Sequence, residues 1–160
     1  MIVVVAGVSG SGKTTVGRRV AEHLGARFVD ADDFHPQSNV DKIRRGEGLS
    51  DADRAPWLAA LNAELRRRSQ AGEAVVLACS ALTRAHRRAL LAGVPGARIV
   101  FLRADPAVVH ERLAHRRGAI AGPGLLPSQL ADEEPPAGGA VVDAGGPLDA
   151  VVADVLRRLG

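Results

Sequence analysis

Residues 7–14 read Gly7-Val-Ser-Gly10-Ser-Gly12-Lys13-Thr14, a glycine-rich turn closed by a lysine and a hydroxyl. The spacing is Gly-x-x-x-x-Gly-Lys-[Ser/Thr], and each position has a chemical reason. Glycine has no Cβ, so successive backbone N–H groups can curl around phosphate oxygens. A helix starting at the lysine adds unpaired donors and a partial positive charge. Lys13 then reaches the β- and γ-phosphates of a nucleotide such as ATP, and the Thr14 hydroxyl ligates Mg²⁺. Gly7, Val8, Ser9, Gly10, Ser11, Gly12, Lys13, Thr14 and Thr15 form the candidate nucleotide-binding set, with Lys13 also acting on the group in transfer. The loop says nothing about the acceptor.

A second group of chemistry-bearing residues follows in Asp30-Ala-Asp32-Asp33-Phe-His35-Pro. Transfer of a phosphoryl group to an alcohol needs a carboxylate beside the attacking hydroxyl and a metal to screen charge. Three clustered aspartates can supply both. Aspartate also favours turns for its own hydrogen bonds. Function is therefore favoured for Asp32, while for Asp33 a capped turn is as good a reading. His35 either touches a ligand or packs its ring. Arg112 and Arg116 stand i, i+4, on one face of a helix if one runs through them.

These groups need a scaffold, and the pattern of apolar residues describes it. Strands are expected over 3–5, 27–29, 74–78, 98–102 and 140–142, and helices over about 13–24, 51–70, 83–91, 105–117 and 148–159. A polar helical stretch is expected near 40–45. Gly25 stands at the C′ position of the first helix, Asp51 at the N-cap of the long one, and Asp105-Pro106 opens the fifth. Trp57, Leu58, Leu61 and Leu65 recur at helical spacing as a buried stripe. Continuous apolar strands alternating with helices imply an α/β fold with three layers and a mostly five-stranded parallel sheet covered on both faces. Ligands in such sheets sit at the carboxyl ends of the strands, where the loop and the aspartates fall. Residues 118–139 change character towards glycine, proline and small residues, with a brief helical stretch near 128–134. A mobile lid over about 112–139 is expected on the single domain 1–160.

Composition narrows the class. A chain of 160 residues, 46% hydrophobic, suits one domain with a real core. No apolar run reaches membrane-spanning length, and the opening stretch lacks the basic flank of a signal peptide. One cysteine, Cys79, excludes an intrachain disulfide and fits a reducing cytosol; a buried structural thiol is its default role. The pI near 9.9 reflects arginine, because net charge is only +3 and Lys13 and Lys42 are the lysines present. Arginine clusters mix with acids and lack interleaved aromatics for base stacking, so nucleic acid is not an expected partner.

Three stretches together resemble a known family. Asp30-x-Asp32-Asp33-Phe-His-Pro is followed by Gly46-Glu-x-Leu-x-Asp-x-Asp53-Arg54-x-Pro-Trp-Leu58 and then by Cys79-Ser80-Ala81-Leu82. This set resembles the small gluconokinases with a phosphate-binding loop, relatives of shikimate kinase. The resemblance implies transfer of the ATP γ-phosphate to the 6-hydroxyl of D-gluconate, with Mg²⁺, in a cytoplasmic homodimer. It implies that Asp32 holds and deprotonates the acceptor hydroxyl, and that Asp30 acts on Mg²⁺ directly or through its waters. Arg54 would face the substrate carboxylate, where its planar fork suits bidentate pairing; a salt bridge to a neighbouring aspartate is the other reading. Ser80 would contact a sugar-acid oxygen or cap a helix, and Arg87 would add a substrate charge. In related kinases a pair like Arg112 and Arg116 stacks on adenine and contacts phosphates as a lid closes, which places Arg116 among the catalytic residues. The chain departs from the family pattern at Ala119 and Ile120, where His-Phe is usual, and at Leu130, Thr83 and His86. Those departures leave open another sugar acid or a shikimate-like acceptor. A nucleotide sensor without catalysis is the alternative from a different class.

Overall fold

The computed structural model describes residues 1–116, 122–137 and 140–160. Five strands form one parallel sheet: β1 (Ile2–Ala6), β2 (Arg27–Asp30), β3 (Val75–Ala78), β4 (Arg98–Arg103) and β5 (Ala140–Asp143). Their order is β2-β3-β1-β4-β5. Seven helices accompany them: α1 (Lys13–Leu24), α2 (Gln37–Arg44), α3 (Asp51–Gln70), α4 (Arg84–Leu91), α5 (Pro106–His115), α6 (Leu126–Asp132) and α7 (Leu148–Leu159). Short 3₁₀ turns at Ala31–Phe34 and Pro123–Leu125 complete the described elements.

The period of two along β1 divides the core. Ile2, Val4 and Ala6 pack with Trp57, Leu58, Leu61 and Leu65 of α3 and with Leu113 of α5. Val3 and Val5 pack on the opposite face with Val16 and Val20 of α1 and Val151, Val152 and Val155 of α7. A Val or Leu buried in this way contributes roughly 1.5–3 kcal/mol over leaving it exposed. Both faces of the central strand are thus closed, as the continuous apolar runs require. The expected three-layer α/β architecture is present. Among the described residues, no helix is long and apolar enough to cross a membrane.

Some boundaries differ from the sequence expectation. The N-cap of α3 is Ser50, not Asp51: its hydroxyl accepts from the Asp53 N–H at 3.1 Å, and the Asp53 carboxylate accepts from the Ser50 N–H at 2.9 Å. This reciprocal box satisfies two helix-end donors where Asp51 could satisfy one. Helix α2 starts earlier than expected, directly after Pro36. Arg116 caps α5 with extended dihedrals (φ −79°, ψ 129°), so it has left the helical face that carries Arg112. Arg117, Ala119 and Ile120 lie outside the described residues.

The sheet order places β1 between β3 and β4, where the chain crosses from one side of the sheet to the other. Loops leaving the carboxyl ends diverge at such a point and open a crevice. The phosphate loop leaves β1, the aspartate cluster β2, and the Cys79–Leu82 turn β3.

Candidate active site

The loop after β1 wraps back so tightly that a Cβ at Gly7 (φ +143°) would sit 2.5 Å from the Leu102 carbonyl oxygen. One at Gly10 (φ +81°) would sit 2.7 Å from Leu113 Cγ. Both glycines are required by space and by backbone conformation. The Gly7 N–H donates to the Ser80 carbonyl at 3.2 Å, which ties the loop to the β3 turn. Lys13 Nζ lies over the loop and donates to the Val8 carbonyl at 2.9 Å. The residue is half-buried, and burial lowers its pKa, opposed chiefly by Asp32. Arg112, His115 and Arg116 line a groove with Gly10, Gly12, Lys13, Thr14 and Thr15. Arg112 also borders a second groove with Ser11, Thr15 and Gly146.

At the end of β2, Asp30 serves two neighbours. Its Oδ1 accepts from the Asp32 N–H at 3.0 Å, and its Oδ2 accepts from Thr14 Oγ1 at 3.4 Å. A hydroxyl and a carboxylate oxygen this close are the hard oxygen donors Mg²⁺ prefers, and Mg²⁺ commonly takes one or two protein ligands plus phosphates and water. Among the described residues there is no cluster of three or more His, Cys, Asp or Glu that could hold a metal by itself. The donor set therefore fits a metal shared with a nucleotide.

Asp32 lines a partly enclosed cavity. Lys13, Thr14, Asp30, His35, Arg54, Ser80 and Arg116 share its wall. Desolvation raises the Asp32 pKa, Lys13 opposes the rise and Asp30 reinforces it. A carboxylate held this way is a stronger base than a free one. Asp32 and Asp33 both present surface to solvent, and of the two Asp32 lines the cavity while Asp33 does not.

The opposite wall carries His35 and Arg54. His35 stacks on Trp57, with ring centroids 4.2 Å apart at 14°, and its Nδ1 lies 3.3 Å from Asn39 Nδ2. Burial and the Arg54 charge push its pKa down to about 4, so the ring is neutral at pH 7. An Nδ1 that accepts from the amide leaves Nε2 as the N–H donor. Arg54 holds two carboxylates loosely, Asp51 and Asp132, each at 3.6 Å. Both sequence readings of Arg54 thus survive in part: it is ion-paired and it lines the cavity. Asp53, by contrast, is fixed by Lys42 at 2.8 Å and by Ser50, and these hydrogen bonds pull its pKa down to about 2.

Comparison with known proteins gives this geometry its place. A family model described as an AAA domain matches residues 2–128. A gluconokinase of Gluconobacter oxydans (strain 621H) is 44% identical over 133 residues, covering 83% of this chain and 75% of that protein. The chain belongs to the gluconokinase family. It is accordingly a kinase that uses ATP on a phosphate-loop fold. Among solved structures, a gluconokinase from Sinorhizobium meliloti 1021 superposes with a TM-score of 0.88 at 41% identity, covering 99% of this chain and 90% of that one. An unliganded sugar kinase from Janibacter sp. HTCC2649 gives 0.91 at 39%, covering 98% and 92%.

Within this gluconokinase-family chain one of the two readings of Ser80 falls away, and Arg87 lies elsewhere than expected. Ser80 does not cap α4; Thr83 does, accepting from the His86 N–H at 3.0 Å, and Ser80 stays on the cavity wall. Arg87 is a correction. It is 7% exposed, and its guanidinium donates to the carbonyls of Ala81, Leu82 and Glu134 at 2.6–2.9 Å. It does not line the cavity, because its donors hold the β3–α4 turn to the segment after α6. We expect Arg87→Met to lower stability by about 3 kcal/mol, since two buried carbonyls and a partly buried one lose a charged donor. For a kinase of this length that is a fall in Tm of roughly 10 °C. The same variant should shift the KM for the acceptor less than Arg54→Met does, which steady-state kinetics on both would check.

Sequence reasoning missed Gln129 and His86 as cavity residues. Helix α6 lies in a stretch with little periodicity, and the contact of Gln129 with Ser9 spans 120 residues. No local signal marks it. Cys79 is buried as expected, and burial pushes its thiol up to about 12.

Proposed function

We infer that this kinase transfers the γ-phosphate of ATP to the 6-hydroxyl of D-gluconate, giving 6-phospho-D-gluconate. The observation that carries the reading is one cavity in which the loop lysine Lys13, the carboxylate of Asp32 and the guanidinium of Arg54 face the same space. Backbone N–H groups of the loop hold the β- and γ-phosphates, and Lys13 leaves the Val8 carbonyl to neutralise charge on the group in transfer. The acceptor hydroxyl gives its proton to Asp32 as its oxygen bonds to phosphorus and the bond to ADP breaks. Arg54 takes the gluconate carboxylate in place of its loose aspartates. His35 and Ser80 offer hydrogen bonds to the polyol. Thr14 and Asp30 would hold Mg²⁺, which screens phosphate charge when bound. Arg112 and Arg116 lie along the nucleotide groove, and closure of a lid over about 112–139 would exclude water. A homodimer, a cytoplasmic setting and a single domain over 1–160 complete the proposal.

The test is a coupled kinase assay across gluconate, other aldonates and shikimate, with thermal shifts measured beside it. Gluconate should give the highest kcat/KM, and gluconate and nucleotide should each raise Tm separately by mass action. Stabilisation by nucleotide alone would mark a sensor. Brisk turnover of another acid with none of gluconate would move the acceptor assignment.

A further inference from the structure

One peptide of the phosphate loop is held from both sides. The Ser9 N–H donates to Gln129 Oε1 at 2.7 Å, and Gln129 Nε2 donates to Ser9 Oγ at 3.3 Å. The reciprocal pattern fixes which way the amide faces. On the other side of the same Val8–Ser9 peptide, the Val8 carbonyl accepts from Lys13 Nζ at 2.9 Å and from the Ser11 N–H at 3.2 Å. A trans peptide is planar, with its N–H and C=O pointing opposite ways. Clamping the N–H therefore aims the carbonyl on which Lys13 rests.

Gln129 is itself held firmly. Leu125 and Leu126 at the start of α6 are 5% and 4% exposed. Beyond its end, the Glu134 N–H donates to the Leu82 carbonyl at 2.9 Å, and the Glu134 carboxylate accepts from the Arg84 N–H at 3.2 Å. One turn after Gln129, on the same short helix, Asp132 meets Arg54 at 3.6 Å. Residues i and i+3 of a helix lie on neighbouring positions of one face. Helix α6 thus touches the loop that carries the donor phosphates and the arginine that awaits the acceptor.

We propose that Gln129 is a positioning residue for the transfer: through the Val8–Ser9 peptide it sets the resting place of Lys13, and through α6 and Asp132 it links that setting to the acceptor bound at Arg54. An acceptor carboxylate on Arg54 displaces Asp132, α6 loses that contact at its end, and Gln129 turns the Ser9 peptide with it. The turned Val8 carbonyl then presents Lys13 to the γ-phosphate, a movement that needs the Gln129 amide to drive it. This inference rests on the reading that Arg54 receives a sugar-acid carboxylate.

The test compares wild type, Gln129→Leu, Asp132→Asn and the double variant, with Gln129→Met as a second way of removing the amide. Two quantities are read: kcat with gluconate, and the factor by which gluconate tightens binding of a non-hydrolysable ATP analogue. Wild type should show coupling of about fivefold or more. In Gln129→Leu, kcat should fall by about tenfold or more, while analogue affinity without gluconate stays within about threefold of wild type. Coupling should collapse towards one in each single variant and fall no further in the double. A merely structural glutamine would lower Tm and leave the coupling factor untouched. Unchanged coupling, or kcat within about threefold of wild type in folded Gln129 variants, overturns the proposal. A wild type inactive on every sugar acid overturns the functional reading and this inference with it; an active wild type beside unaffected variants overturns this inference alone.

Discussion

Replacing Lys13 by alanine should lower kcat by roughly 10³-fold while the protein folds as well as before. The loss follows from what the ammonium does during transfer. Charge spreads over the γ-phosphoryl oxygens in the transition state, and removing one donor aimed at such charge costs about 10²–10³-fold in rate. A full positive charge in a partly dewatered cavity belongs at the upper end of that range. Folding should not suffer, because burial already lowers the Lys13 pKa. A lowered pKa means that the charged form is less comfortable in the folded chain than in the unfolded one. Deleting the ammonium removes that penalty and one hydrogen bond to Val8. Circular dichroism and Tm should therefore match or exceed wild type, and the Tm gain on adding ATP should shrink. A large fall in Tm without ligand would show that Lys13 is a structural residue.

Asp32→Asn should reduce transfer by about 10²–10⁴-fold, the range for loss of a general base, with the dissociation constant for ATP nearly unchanged. The exchange is close to isosteric, and the local turn survives it: the group that shapes the turn is the Asp32 N–H bonded to Asp30, not the Asp32 side chain. Acid sensitivity follows from the same residue. In the proposed mechanism transfer needs Asp32 ionised, and desolvation in the site raises its pKa above 3.8, with Lys13 limiting the rise and Asp30 adding to it. The rate of the wild type should accordingly fall as pH drops, with a midpoint above 3.8, and that limb should vanish in the asparagine variant. Retained transfer in Asp32→Asn would move the base elsewhere. Asp33 is a poor replacement, since it lies off the cavity wall.

What could be read from the residues depended on how far apart the partners are in the chain. The phosphate loop is a local pattern of eight residues, and its strand and helix flanks follow from apolar runs beside it. The buried stripe of α3 was legible for the same reason, because Trp57, Leu58, Leu61 and Leu65 obey one helical period. Asp30 and Asp32 stood out as a cluster before their geometry was known. Arg87 misled because an arginine near a substrate turn carries the same symbol whether it faces a ligand or three carbonyls. One of those carbonyls, that of Glu134, lies 47 residues away. The Ser50 cap was hidden by the equally good Asp51 beside it. Gln129 stood beside the departure at Leu130, but nothing local tied it to Ser9, which lies 120 residues earlier.

The sheet order β2-β3-β1 has a consequence for how such a kinase changes its diet. The donor loop leaves β1 and the acceptor aspartates leave β2, with a single strand between them. Neighbouring strands lie about 4.8 Å apart, so the spacing between donor and acceptor is an architectural constant near 10 Å at the level of the backbone. Side chains such as Arg54, His35 and His86 decorate that gap without defining it. A lineage can therefore exchange them and acquire a new acceptor while the reach from phosphorus to base stays inherited from the backbone.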